Sequence, residues 1–146
     1  MIEKTLERWH ACLKGDFAAG LEELLADEVV FHSPIVFTPQ RGRAMTRLYL
    51  TAAYRTFASD PGARGGEGHA SDSGFRYVKE VASGHHAVLE FETWVEGTFV
   101  NGVDILTCDD AARICEFKVM LRPLQAVNLM HARMRSMLEK LASAGE

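Results

Sequence analysis

Apolar residues recur at helical spacing at both ends of the chain and alternate with polar ones through its second half. Ile2, Leu6, Trp9 and Leu13 share one face and predict a helix over 2–14, stopped at Gly15. Asp16 is placed to cap a second, short helix with Phe17, Leu21, Leu24 and Leu25 inward. The β-branched and aromatic run at 28–33 reads as a strand ended by Pro34. The stretch 34–43 reads as irregular. A third helix is expected over about 43–58, with Met45, Leu48, Tyr49, Ala52 and Phe57 inward. Residues 60–74 (DPGARGGEGHASDSG) have the composition of a mobile surface loop, with a lid over a pocket mouth as the functional alternative. They lack the Gly-Lys-Ser/Thr ending of a phosphate loop. Strands are expected at 75–82, 85–96, 99–108 and 113–122, joined by turns at Ser83-Gly84, Gly97 and 109–112. A last helix over 124–142 carries Leu124, Val127, Met130, Met134, Leu138 and Leu141 as its apolar stripe.

Helices that precede and follow a meander of long strands predict an α+β domain, with helices packed on one face of an antiparallel sheet. Alternation assigns the faces. Ala87, Leu89, Phe91, Thr93 and Val95 share one side of their strand, and His86, Val88, Glu90, Glu92 and Trp94 the other. Likewise Cys115, Phe117, Val119 and Leu121 oppose Glu116, Lys118, Met120 and Arg122. The mixed face, with acids on one strand, Lys118 and Arg122 on another, and Trp94, Met120 and Ile105 among them, suits cross-strand ion pairs and a homodimer surface. Gly102, Asp104, Leu106 and Cys108 form one side of the strand between, and alternation alone leaves open which way that side faces.

A chain of 146 residues fits one domain, residues 1–146, with a core of its own. The net charge of -4, with no basic block, argues against a nucleic-acid partner. No apolar run approaches the ~18 residues of a membrane helix, so no membrane partner is expected. The opening MIEKTLERWH carries no signal-peptide core, and the cysteine count of three is odd. A reduced, cytoplasmic protein is the expectation. Cys12 reads as core. Cys108 and Cys115 flank a hairpin loop. His85 and His86 are adjacent on a strand and point to opposite faces, and no His-x-x-x-His or Cys-x-x-Cys spacing occurs, so neither a metal nor a cofactor is expected.

The segment GVDILTCDDAARICEFKVMLRP, residues 102–123, resembles the corresponding strand pair of ketosteroid isomerases and SnoaL-like polyketide cyclases. Asp104, Asp109 and Arg113-Ile114 fall at matching places, and the N-terminal half matches in order through Gly15-Asp16, residues 24–29, the site before Pro34, and Gly42. The resemblance implies the nuclear transport factor 2-like (cystatin-like) fold. That fold is a cone-shaped curved sheet packed by N-terminal helices around an apolar pocket, here with an extra C-terminal helix. It also implies that Asp104 faces inward, where in the isomerases the matching carboxyl stays protonated and donates to a developing oxyanion. Two isomerase roles depart from the pattern. Ser33 stands where the catalytic base would be, and Trp9 stands near the tyrosine that partners the pocket carboxyl. An indole N–H donates a hydrogen bond and exchanges no proton.

Asp104 is therefore the candidate acid or base, because desolvation beside Leu106, Cys108, Val119 and Leu121 would raise its pKa. A structural carboxylate, bonded to backbone or to an arginine, is the alternative. Trp9, Ser33, Tyr49, Phe91, Phe117, Val119 and Leu121 are the candidate ligand contacts. His32 is expected outward. Three readings follow: a pocket enzyme performing proton transfer on a small apolar cyclic molecule, a non-catalytic binding module, or a dimerising module with a filled cone.

Overall fold

Helix α1 (Ile2–Lys14) buries Ile2, Leu6 and Trp9 at the expected spacing, together with Thr5 and Cys12. The structure, a computed structural model, describes residues 1–58 and 74–144. The predicted loop at 60–74 therefore lies outside the described residues, apart from Gly74. At the start of α1 the Ile2 amide donates to Gly84 O at 3.0 Å, and the buried Thr5 hydroxyl donates to Ala112 O at 2.9 Å. Those two bonds fix the helix to the turns of two hairpins, so its inward face is held against the sheet.

Asp16 caps α2 (Phe17–Leu24), its carboxylate accepting from the Ala19 amide. The chain then passes directly into β1 (Leu25–His32), three residues earlier than the sequence suggests. Leu25 belongs to the strand and not to the helix. Its backbone is already extended, and it pairs with Ile114. A short β2 (Gln40–Arg41), unforeseen in the irregular stretch, pairs antiparallel with β1. Helix α3 (Arg43–Ala58) has the expected bounds, but its buried stripe runs through Thr46 and Leu50, and Met45 is exposed. Threonines at buried positions (Thr46, Thr51 and Thr56) mask that stripe in the sequence.

The meander follows as β3 (Arg76–Ser83), β4 (His86–Val95), β5 (Thr98–Cys108) and β6 (Ile114–Arg122), and the chain ends in α4 (Leu124–Ala144). The sheet order is β2-β1-β6-β5-β4-β3. All pairs are antiparallel except β1 with β6, which run parallel, so the sheet is mixed. Positive φ at Glu96 and Gly97 makes the tight β4–β5 turn. At the β5–β6 turn the Asp109 carboxylate accepts from the amides of Ala111 and Arg113.

Inward and outward sets on β4 follow the alternation: Ala87, Leu89, Phe91, Thr93 and Val95 are buried. On β6 a bulge breaks it. The register shifts between Thr107 and Cys108, so Ile114 is the fully buried residue and Cys115 is only half-buried, contrary to its expected inward place. Leu124 is 73% exposed at the first turn of α4, where no described element covers it, while Met130 lies in the core and Met134 packs against it. All three cysteines are free. The core joins α1, α2 and the inner sheet face through Trp9, Leu21, Leu89 and Phe117, each burial contributing about 1.5–3 kcal/mol. A second cluster joins Phe91, Val95 and Val100 to Ala126 and Met130 of α4.

The candidate functional site

Between the inner sheet face and helices α1, α3 and α4 lies a cavity of about 1010 Å³. The candidate acid and all the candidate ligand contacts line it: Trp9, Ser33, Tyr49, Phe91, Asp104, Phe117, Val119 and Leu121. Phe91, Phe117 and Leu121 form its walls and do not fill it. The reason is partly Gly102. It pairs with Phe91 on one side and Leu121 on the other, and a Cβ there would lie 2.7 Å from each of those side chains. The missing side chain lets the Phe91 ring lie against the sheet.

Asp104 sits on β5 between Leu89 of β4 and Val119 of β6, on the inner face. It is 6% exposed. Its partner is Tyr77 of β3, whose hydroxyl donates to Asp104 Oδ2 at 2.6 Å. The Tyr77 hydroxyl in turn accepts from Trp9 Nε1 at 3.0 Å. Among the described residues no Lys, Arg or His forms an ion pair with Asp104. Burial pushes the Asp104 carboxyl from 3.8 up to about 7, and the Tyr77 hydrogen bond pulls it the other way. Burial, followed by the facing Asp104 charge, drives the Tyr77 hydroxyl well above its ordinary value. The result is a carboxyl near half-protonation at neutral pH, held by a phenol that stays protonated.

Tyr77 was not singled out from the sequence. Its one signal is alternation, which puts Phe75 and Tyr77 on the same face at the start of β3. The β3–β4 register shifts between Tyr77 and Lys79, and Tyr77 lies opposite Phe91. A phenol beside the pocket carboxyl is thus supplied by β3, and Trp9 from α1 orients it.

The remaining candidates divide. The Ser33 hydroxyl accepts from the amides of Ile35 and Val36 at 3.0 and 3.2 Å, so it is engaged in forming the turn after β1. Tyr49 packs its ring against Phe31. The Tyr54 hydroxyl reaches Leu13 O. His32 lies on the outer face and pairs with Glu116 at 3.0 Å. His85 pairs with Asp110, and His86 contacts the Thr107 hydroxyl. Among the described residues no three His, Cys, Asp or Glu side chains converge to hold a metal ion.

No known family model matches the sequence, and no curated protein is a significant sequence match. Solved structures do match. A steroid delta-isomerase from Pseudomonas aeruginosa superposes with a TM-score of 0.82 and 27% identity, over 97% of this chain and 94% of that one. A bacterial protein with a cystatin-like fold from Silicibacter pomeroyi DSS-3 gives 0.74 and 26%, over 90% of this chain and 83% of that one. The chain is nuclear transport factor 2-like. A protein from Mesorhizobium loti described as similar to nuclear transport factor 2 shares the fold at 0.65 and 21%, over 84% of this chain and 91% of that one. This nuclear transport factor 2-like chain keeps the fold's helices and sheet, and α4 closes one side of its cavity. No helix among the described residues is long and apolar enough to cross a membrane.

Proposed function

We propose that the cavity binds a small, largely apolar cyclic molecule and that Asp104 moves a proton on it. The observation that carries this reading is the carboxyl itself: buried, without a cation partner among the described residues, raised to about 7, and lining the cavity. A structural carboxylate would be expected to hold an arginine or several backbone amides, which lower the pKa. In the ionised state Asp104 takes a proton from a carbon next to a ring carbonyl, and the resulting acid returns it to the same or a conjugated carbon. The Tyr77 hydroxyl remains bonded to the carboxyl throughout and limits how far its basicity rises. The 27% identity to a steroid delta-isomerase supports this class of chemistry. The test is solvent deuterium exchange into a panel of cyclic ketones, read by mass spectrometry. Exchange by wild type that is lost in Asp104→Asn supports the enzyme. Ketones that bind wild type without exchanging would leave a binding module in its place.

The partner reading is a second copy across the outer sheet face. Val88, Trp94 and Met120 are exposed there. Glu90 and Glu92 stand on β4, while Lys118 and Arg122 stand on β6. Glu92 also pairs with Arg76 of β3, and Arg122 donates to Asn101, so the expected pairing of these acids and bases within one sheet is not what the chain makes. A two-fold axis along β5 would lay β4 of one copy over β6 of the other and bring those opposite charges together. Light scattering should give a dimer mass for wild type and a monomer for Met120→Glu. A monomeric wild type overturns this arrangement.

A further inference from the structure

Charge is distributed unevenly around the cavity. The chain as a whole is acidic, with a net charge of -4. Yet the exposed ionisable residues of the described cavity lining are Lys14, Arg76, His131 and Arg135 against the single acid Glu139. Arg76 is engaged by Glu92 at 3.2 Å. Lys14, at the end of α1, and Arg135, on the cavity side of α4, make no hydrogen bond or ion pair among the described residues. Exposed cations on the lining of a low-dielectric cavity, where it meets solvent, focus a positive field.

Two further observations concern the occupant. The volume of about 1010 Å³ lies at the top of the ~300–1,000 Å³ range of small-molecule pockets, more than one small ring needs. The interior also has few free donors. Trp9 donates to Tyr77, Tyr77 to Asp104 and Tyr54 to Leu13 O, while the Ser33 hydroxyl is held by two amides. An anionic group buried beside Asp104 would be both unpaired and repelled. At the opening it would meet cations.

We infer that the ligand is an amphipathic anion, with a polycyclic or ring-and-tail apolar body in the cavity and a carboxylate or sulfate at the opening beside Lys14 and Arg135. This rests on the ligand-binding reading proposed above and specifies its substrate class. His131 lies one helical turn before Arg135 on the same side of α4 and also lines the cavity.

The test uses matched probes and the full chain. Binding of deoxycholic acid, its methyl ester, androsterone and androsterone sulfate is measured by calorimetry against wild type and against the double variant Lys14→Gln/Arg135→Gln. Each exposed ion pair contributes modestly, so the charged member of a pair should bind wild type about fivefold more tightly than the neutral one. That preference should vanish in the double variant and shrink in about 0.5 M salt. Whichever pair shows the larger preference names carboxylate or sulfate. Equal affinity for charged and neutral members, or a preference that survives in the double variant, overturns the inference and leaves the apolar pocket standing. If none of the four probes binds wild type, both this inference and the apolar cyclic-ligand reading proposed above fall together.

Discussion

Replacing Asp104 by Asn tests the site without any knowledge of the ligand. In the unfolded chain the carboxyl titrates near 3.8, and in the folded protein burial holds it at about 7. The folded state therefore binds the proton more tightly than the unfolded one between those values. The sign follows from linkage: stability is greatest below 3.8, falls as pH rises through the interval, and levels above about 7. A displacement of about three pH units corresponds to roughly 4 kcal/mol in all, of which about 2.5 kcal/mol is lost between pH 5 and pH 8. Asparagine keeps an oxygen to accept from Tyr77 and has no charge to desolvate. Urea denaturation at both pH values measures the difference between wild type and Asp104→Asn, which cancels every other titrating group. The variant should gain on wild type by about 1 M in urea midpoint on going from pH 5 to pH 8, given m-values of roughly 1–3 kcal/mol/M. Parallel pH profiles for the two proteins would refute the buried, unpaired carboxyl and with it the acid–base role.

Further substitutions probe the site and the packing around it. Tyr77→Phe removes the hydrogen bond that lowers the Asp104 pKa, so the Asp104 carboxyl resonance, followed by carbon-13 NMR, should titrate above its wild-type midpoint of about 7. The same change leaves the Trp9 indole without its acceptor and should cost about 1–3 kcal/mol in denaturant unfolding. Gly102→Ala would put a Cβ 2.5 Å from the Met120 carbonyl oxygen and 2.7 Å from Phe91 and Leu121, and calorimetric unfolding should show a loss of about 1–3 kcal/mol. Gly20→Ala drives a methyl into the Cys12 sulfur and should destabilise, whereas in Cys12→Ala/Gly20→Ala the clash is gone and Ala's advantage of up to ~1 kcal/mol in a helix should appear as positive coupling in a double-mutant cycle. Thr93→Val removes a buried hydroxyl on the inner face of β4 that has no partner among the described residues, and should raise stability by about 1 kcal/mol in thermal unfolding.

Much of the molecule is legible in the sequence because period and punctuation agree there. Helix α3 has the bounds its pattern predicts, and the four strands of the meander lie within a residue or so of their expected ends. Where the pattern misleads, a specific residue accounts for it. Leu25 continues an apolar run from α2 with no turn residue to mark the change, so the start of β1 is hidden. Thr46 occupies a buried position that hydropathy assigns to solvent, which shifts the apparent stripe of α3 onto the exposed Met45. The bulge opposite Cys108 moves Ile114 inward and Cys115 aside, and a single-residue insertion of that kind leaves no mark in alternation.

The site divides along the same line. Its walls were legible because wall residues need only be apolar and inward. Its chemistry depends on register, which links residues far apart in the chain. Tyr77 and Asp104 are 27 residues apart and stand on strands that do not pair with each other, separated by β4. Their hydrogen bond requires the β3 register shift after Tyr77, the β4–β5 register that sets Leu89 against Asp104, and Gly102 to leave room for the Phe91 ring opposite Tyr77. None of these is visible one strand at a time. The link from Trp9 to Asp104 depends on register in the same way: the indole reaches the carboxyl only through the phenol between them. What the sequence does announce is a lone acid in an otherwise apolar inward set. An acid can persist there in two ways, paired with a cation that lowers its pKa or unpaired with its pKa raised. Among its described residues the chain shows the second, at a cost to stability above neutral pH, and only the second leaves a carboxyl able both to accept and to donate a proton under the same conditions.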